Sequence, residues 1–284
     1  LTLTYRFGDI TQPETLPDMV RDVDIIVHNA GLVKARRAEQ FFEVNERGTA
    51  ALFGAIVAHA PGVKRVVQIS SVAASGPSTE GRPRCEADTP SPITTYGQSK
   101  LAGEQAALAH ADKLSVVAIR PPGVYGPGDR EIFSFFSTVH NRIKPYIGNS
   151  SRRLQLVHVD DLARAVYCAA TAEVASGTVL FAAEKASYSM NELIQLLANC
   201  TGKRCLPVYI PAPLFKLVAA AAEASSRTLG IVPMLTREKA RELLSWWELD
   251  TDRARDLIGF ESSIPFADGA RQTYDWYIRE GWLS

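Results

Sequence analysis

Tyr96 and Lys100 stand four residues apart in Tyr96-Gly97-Gln98-Ser99-Lys100, and Leu101, Ala102, Glu104 and Gln105 continue the segment with residues that favour helix. On a helix this spacing puts both side chains on one face, a single turn apart. A phenol with an unperturbed pKa of ~10 is a poor base at neutral pH, but a cation one turn away favours the phenolate and lowers that value. Tyr96 is thereby equipped to pass a proton to or from a substrate oxygen. The spacing is common by chance, so its surroundings decide what it means. Upstream, Val66-Val67-Gln68-Ile69 runs into Ser70-Ser71 and then Gly76-Pro77. Two hydroxyls are thus delivered at the C-terminal end of a strand, where open α/β sheets bind their ligands. From there Ser71 would hydrogen-bond the oxygen that Tyr96 serves and polarise it. The same two serines would equally end a strand and cap a turn. A polar, Pro-rich stretch at 77–92 separates them from Tyr96 and is suited to covering a pocket.

The elements that must position these groups follow from periodicity. Short β-branched runs at 2–5, 25–28, 65–70, 115–120, 155–159 and 178–182 read as strands. Helical patterns at 14–20, 41–60, 95–111, 132–141 and 160–171 alternate with them. This alternation predicts an α/β fold, a doubly wound parallel sheet built by right-handed crossovers. After about residue 187 it stops, and helices at 190–201, 214–228, 237–244, 251–258 and 266–280 form a smaller lobe with one extended piece at 206–210. Thr236 and Thr251-Asp252 are expected as N-caps and Gly259 as a C-terminal stop. The expected division is 1–127 with 155–186 for the sheet domain, and 128–154 with 187–284 for the lobe.

Composition narrows the partners. Thirty-one basic and 31 acidic side chains cancel, so no whole-chain field draws in nucleic acid or an anionic membrane, and a small ligand is expected. Cys85, Cys168, Cys200 and Cys205 are scattered without a C-x-x-C pair, which reads as reduced thiols in a cytoplasm. His158 has no metal-ligand neighbour in sequence, and Asp160-Asp161 suit a helix N-terminus, so no metal is expected. Residues 1–10 lack the basic start and long apolar run of a signal peptide. The most apolar helix, at 214–224, is interrupted by Lys216 and Glu223 and is shorter than the ~20 residues of a membrane span. It reads as a half-buried helix of the lobe. Trp246-Trp247 and Trp276-Tyr277 suit either a hydrophobic pocket or a core.

Several motifs occur in a meaningful order. Gly8-Asp9-Ile10 comes first, then His28-Asn29-Ala30-Gly31, then Asn45 with Gly48-Thr49. Ser71, Tyr96 and Lys100 follow, then Arg120-Pro121-Pro122-Gly123-Val124-Tyr125-Gly126-Pro127-Gly128 and Val157-His158-Val159-Asp160-Asp161-Leu162-Ala163. Together they resemble the extended short-chain dehydrogenase/reductases, which include nucleotide-sugar epimerases, 3β-hydroxysteroid dehydrogenases and dihydroflavonol reductases. The resemblance implies a Rossmann-type domain with a smaller substrate lobe, NAD or NADP as cofactor, and Ser71, Tyr96 and Lys100 as the catalytic set. It implies that Asp9 and Ile10 sit beside adenine and that His28, Asn29, Ala30 and Gly31 line the adenosine side. Ser70, Tyr96 and Lys100 would hold the nicotinamide end, Lys100 through its ribose, with Pro121, Gly123 and Val124 lining the nicotinamide pocket. Asn45 would be a buried polar anchor, and a homodimer through a helical face is expected.

The family normally opens with a strand, a G-x-x-G-x-x-G turn, a helix and a second strand, whereas this sequence begins at what would be the third strand. The expectation is a sequence that is incomplete, the alternative being a remnant that binds no cofactor. The residue that separates NAD from NADP ends the second strand of that segment, so both cofactors stand. Val72 and Ala73 occupy positions where sugar dehydratases carry Asp and Glu, which disfavours dehydration. Ala74-Ser75-Gly76 in place of the epimerases' Val-Tyr-Gly, and the offset of Arg153, disfavour a nucleotide sugar. The leading expectation is therefore an oxidoreductase moving a hydride between nicotinamide and a secondary alcohol or ketone. A nucleotide-sugar 4-epimerase is second, and a noncatalytic binding protein third.

Overall fold

The computed structural model describes residues 2–149, 151–229 and 235–283. Along the chain come α1 (Leu16–Val20), β1 (Ile25–His28), α2 (Ala38–Phe42), a π-helical turn (Glu43–Gly48), α3 (Thr49–His59), β2 (Arg65–Ile69), α4 (Val72–Ser75), α5 (Thr95–Leu108) and β3 (Val116–Arg120). Next are β4 (Gly123–Tyr125), α6 (Phe133–His140), β5 (Ile143–Ile147), β6 (Arg153–Leu154), β7 (Leu156–His158), α7 (Val159–Thr171) and β8 (Thr178–Phe181). The last third holds β9 (Tyr188–Ser189), α8 (Met190–Thr201), β10 (Leu206–Ile210), α9 (Ala212–Leu229), α10 (Arg237–Leu243), α11 (Asp252–Ile258) and α12 (Phe266–Arg279).

Two units result. The first takes in residues 1–76, 89–120 and 166–180. Its sheet has the order β1-β2-β3-β8, with β1–β2 and β2–β3 parallel. Every residue of β2 and β3 is buried, as expected of parallel strands covered on both faces. Their continuous apolar runs follow from that burial. Leu16, Val20, Phe53, Ile56, Val66 and Val116 close the core between this sheet and its helices. α5 crosses α4 so closely that a Cβ on Gly97 would sit 2.4 Å from the Ala73 carbonyl oxygen. Only glycine permits that approach, and it sets the helix start carrying Tyr96 against the helix that Ser71 caps.

The second unit takes in 77–88, 121–165 and 181–284. α8 buries Met190, Leu193, Ile194, Leu197 and Ala198, a helical stripe, and α12 does the same with Phe266, Ala270, Thr273, Tyr274 and Tyr277. A capping box opens α8: Ser189 Oγ accepts from Glu192 N at 3.1 Å, and Glu192 Oε2 accepts from Ser189 N at 2.6 Å. Three two-stranded pairs complete the unit: β4–β7 and β5–β10, both parallel, and the antiparallel β6–β9. Among the described residues no helix is long and apolar enough to cross a membrane.

Several expectations need correction. Residues 2–5 form no strand, and Leu3 and Tyr5 stand exposed, because a strand forms only where a neighbour completes its ladder and no described strand pairs there. The run at 155–159 joins β4 rather than the central sheet. The helix expected at 41–60 starts at Ala38 and loosens into the π turn that carries Asn45. β5 was masked as a strand by Pro145, which is tolerated there because the sheet has only two strands. Thr236 caps α10 as expected, accepting from Lys239 N at 3.0 Å, and Gly259 ends α11 left-handed at φ 66°. Thr251 makes no side-chain cap; Asp250 Oδ1 takes the Asp252 amide instead, at 3.0 Å.

Candidate active site

β2 runs out at Ile69, and Ser70 continues its ladder for one step, donating its amide to Ile119 O at 2.7 Å. Ser71 is extended and caps α4, its Oγ accepting from Ala73 N at 3.1 Å. The capping reading of this hydroxyl is met, and a capping oxygen still has a proton to donate. Thr94 caps α5, accepting from Gly97 N at 3.0 Å, and so fixes the first turn on which Tyr96 stands. The Tyr96 ring is half-buried and packs edge-on against Phe41, with centroids 6.1 Å apart. One turn on, the buried Lys100 donates from Nζ to Ile69 O at 2.7 Å. Its amine is thereby held at the strand end, two residues before Ser71. Burial pushes the Lys100 pKa down to about 8, and Glu104 opposes that fall.

Asn45 ties this helix to the loop that follows β1. Its Nδ2 donates to Ser99 Oγ at 2.9 Å and to Leu32 O at 3.0 Å, while Oδ1 accepts from Leu32 N at 2.7 Å. Ser99 Oγ in turn donates to the Tyr96 carbonyl at 2.8 Å. The anchor expected of Asn45 is realised in these bonds. Beneath it, Thr49 Oγ1 donates to Asn45 O at 2.8 Å and so accepts from His28 Nε2, 3.0 Å away. That assigns the His28 proton to Nε2. Burial, aided by repulsion from Lys100, lowers the His28 pKa from 6.5 to about 4.

The sign of the linkage is definite. Between pH 6.5 and about 4 the unfolded imidazole binds a proton that the folded one refuses, so acidification through that window costs about 3 kcal/mol of stability. His28→Gln keeps a donor for Thr49 and should remove this component. Urea unfolding at about pH 7 and about pH 4.5 would then show a smaller loss in the variant than in the native protein; an equal loss would show that His28 does not carry it.

The remaining expected ligand residues are distributed as follows. Asp9 is exposed, and its Oδ1 accepts from Thr11 N and Thr11 Oγ1, both at 2.8 Å, bonds that hold its carboxyl below the usual range. Ile10 packs on Gly48. Asn29, Ala30 and Gly31 are exposed after β1, and a Cβ on Gly31 would lie 3.1 Å from Asn45 Oδ1 and 3.7 Å from Lys100 Nζ. His28, Gly31, Asn45, Ser70, Ser71, Tyr96 and Lys100 thus share the C-terminal side of the first unit's sheet. Pro121, Gly123 and Val124 belong to the second unit, the latter two on β4. A dinucleotide fits what is present: Gly31 leaves a side-chain-free cradle beside the Lys100 amine, and Ser70 Oγ is buried without a hydrogen-bond partner among the described residues.

A further pair was missed from sequence. Glu104 and Arg120 are both buried and form a two-point bridge, Nη2–Oε1 at 2.6 Å and Nε–Oε2 at 2.8 Å, that fastens α5 to the end of β3. A charge ending a buried strand, with an acid one turn past Lys100, was the available signal.

In the second unit Asp161 stands with Asp160 in the first turn of α7, as expected, and also holds a distant loop. It accepts from Ser262 Oγ, Ser263 N and Ile264 N, and from Arg164, and these bonds hold it down to about 2 although burial alone would raise it. His158 is buried edge-on to Tyr125, and the described residues contain no cluster of potential metal ligands. Trp276, Tyr277 and Trp282 pack on one another against the second unit's core. All four cysteines are free thiols.

Comparison with known proteins adds to this geometry. A model of the NAD dependent epimerase/dehydratase family matches residues 2–181. The chain is 31% identical to a ceramide reductase of Caulobacter vibrioides (strain NA1000 / CB15N), over 97% of its own length and 81% of that protein's. It is 26% identical to a UDP-glucose 4-epimerase of Vibrio cholerae, over 98% of this chain and 84% of the other. Among solved structures, MoeE5 in complex with UDP-glucuronic acid and NAD aligns with a TM-score of 0.76 and 25% identity, covering 96% of this chain and 85% of that one.

Proposed function

The chain belongs to the NAD dependent epimerase/dehydratase family, and from that membership we propose that it is an NAD(P)-dependent oxidoreductase acting on a hydrophobic secondary alcohol or its ketone. The observation that carries the reading is the Lys100 ammonium held on Ile69 O, on the helix turn after Tyr96 and beside the strand end that leads to Ser71. A bound nicotinamide supplies the hydride donor or acceptor. In the reducing direction Tyr96 gives its phenolic proton to the carbonyl oxygen as the carbon receives hydride, and Ser71 donates a hydrogen bond to the same oxygen. The Tyr96 phenolate left behind is stabilised by the Lys100 cation until it regains a proton from solvent. Oxidation runs the same transfers backwards. Lys100 and Ser70 would also hold the nicotinamide ribose end, Gly31 with its neighbours 28–30 the adenosine side, and Asp9 and Ile10 the adenine. Pro121, Gly123 and Val124 would line the nicotinamide.

The likeness to a ceramide reductase supports a long-chain lipid ketone as substrate class. The stretch after Ser71, where buried Val72 and Ala73 provide neither acid nor base for eliminating water, speaks against dehydration. Four unpaired thiols support a reducing, cytoplasmic compartment. A nucleotide-sugar 4-epimerase is the second reading, favoured by the 26% identity to the Vibrio cholerae enzyme. Net redox separates the two. The protein incubated with a long-chain lipid ketone should consume NADH or NADPH mole for mole with alcohol formed; interconversion of UDP-glucose without net change in cofactor would instead establish the epimerase.

A further inference from the structure

β2 carries one amide side chain among its buried residues. Gln68 is 2% exposed, while Val66, Val67 and Ile69 around it are apolar. Alternation along the strand puts Gln68 on the face of Val66, which packs in one core cluster with Ala107 of α5. Lys100 reaches the sheet from that same helix. In register, Gln68 lies opposite His28 on β1 and Ala118 on β3, and the β1–β2 pairing ends at that residue. The next carbonyl, Ile69 O, serves side chains: Lys100 Nζ donates to it at 2.7 Å and Gln68 Nε2 at 3.4 Å. The amine and the carboxamide therefore meet on one oxygen, which has a lone pair for each. The amide nitrogen faces that oxygen because two acceptors would repel each other.

The other end of the carboxamide is unsatisfied. Gln68 Oε1 is buried and has no hydrogen-bond partner among the described residues. A buried acceptor left unpaired is costly, and an apolar side chain of the same size would fill this face without that cost. Lys100 is the complementary group. Its ammonium has three protons, Ile69 O takes one, and the last torsion of a glutamine is soft enough to swing Oε1 toward another. Burial lowers the Lys100 pKa to about 8, so its charge depends on the partners it finds. Glu104 of α5 favours that charge but is shared with Arg120 of β3, and His28 of β1 is neutral above its pKa of about 4. Tyr96 stands one turn back on α5, and the π turn packed against that helix carries Glu43, Glu46 and Arg47.

We propose that Gln68 is a positioning residue for the catalytic lysine: its Nε2 shares Ile69 O with the Lys100 amine, and its Oε1 is the second acceptor that keeps the amine protonated beside Tyr96. The contact stands on this geometry, and its bearing on catalysis rests on the oxidoreductase reading.

NMR titration of the protein isotopically labelled at lysine Cε, with the Lys100 resonance identified by its loss in Lys100→Arg, tests it. Gln68→Met keeps the length of the side chain and removes both polar atoms, and the Lys100 pKa should fall by about half a unit or more. Gln68→Glu puts a carboxylate in the same place, and the pKa should rise by about one unit or more. Both shifts should persist with Tyr96→Phe in the background, which removes the phenol from the titration. The alkaline limb of kcat for ketone reduction should move in the same direction as the lysine in each variant. Either variant decides alone: a Lys100 titration left unmoved, or moved the opposite way, would overturn the proposal. So would loss of stability to urea with titration and pH profile both native, because Gln68 would then only fill space. The titration needs no turnover, so shifted titrations in a protein that reduces no ketone would leave Gln68 in its role and count against the oxidoreductase reading.

Discussion

Tyr96→Phe should lower kcat for reduction of the lipid ketone by about a hundredfold to ten-thousandfold, the usual worth of a positioned acid/base group. The substitution removes one oxygen and keeps the ring that packs on Phe41, so folding should not change. Cofactor affinity should stay within a few-fold, because Lys100 keeps its bond to Ile69 O. The pattern matters more than the size: a fall in kcat with Kd for NAD(P)H preserved marks an interaction made in the transition state. Turnover within tenfold of native would remove Tyr96 from the chemistry.

The second large effect concerns stability. Glu104 and Arg120 have side chains 2% and 4% exposed and neutralise each other in a site without solvent. Glu104→Leu would take from the buried Arg120 guanidinium its two-point carboxylate partner, an expected loss of about 3–5 kcal/mol. The double variant Glu104→Leu with Arg120→Leu removes both charges and should recover most of that loss, since a buried pair replaced by apolar groups is often close to neutral. Urea unfolding of the two single variants and the double variant measures the coupling directly. Equal destabilisation in single and double variants would show that packing, and not the ion pair, fastens α5 to β3.

The central sheet was legible because a parallel strand buried on both faces has to be apolar throughout, as Val66–Ile69 and Val116–Ile119 are. The lobe's long helices were legible for a related reason: α8 and α12 repeat apolar residues at helical spacing beside polar ones. Short pieces were harder to read. β4 has only three residues and exists because β7 lies beside it, a long-range partner that local sequence does not encode. Residues 2–5 have strand-like composition and no partner strand among the described residues, and composition alone misled.

The candidate site divides along the same line. Tyr96, Lys100 and Asn45 stood out because their spacing on helices is local. The carbonyl that receives the Lys100 amine carries no residue signature at all, since any residue at position 69 would present the same oxygen. Asp161 stands in the first turn of α7 as expected, but its partners, Ser262 to Ile264, were not legible because they lie about a hundred residues away in sequence and act partly through backbone amides. The bare face of α9 was half legible: Lys216 and Glu223 suggested an ordinary half-buried helix, and only the structure shows Leu214, Leu217 and Val218 turned outward.

The proposed function rests on the claim that the Ser71, Tyr96 and Lys100 group directs a hydride between nicotinamide and a substrate carbon. Its most direct test is reduction of a long-chain lipid ketone with NADH or NADPH carrying deuterium at nicotinamide C4, with mass spectrometry of the product. The account predicts alcohol bearing deuterium at the new carbinol carbon, delivered to one face, with formation slowed at least a hundredfold in Tyr96→Phe. Unlabelled alcohol, or labelled alcohol formed equally fast by Tyr96→Phe, would contradict it.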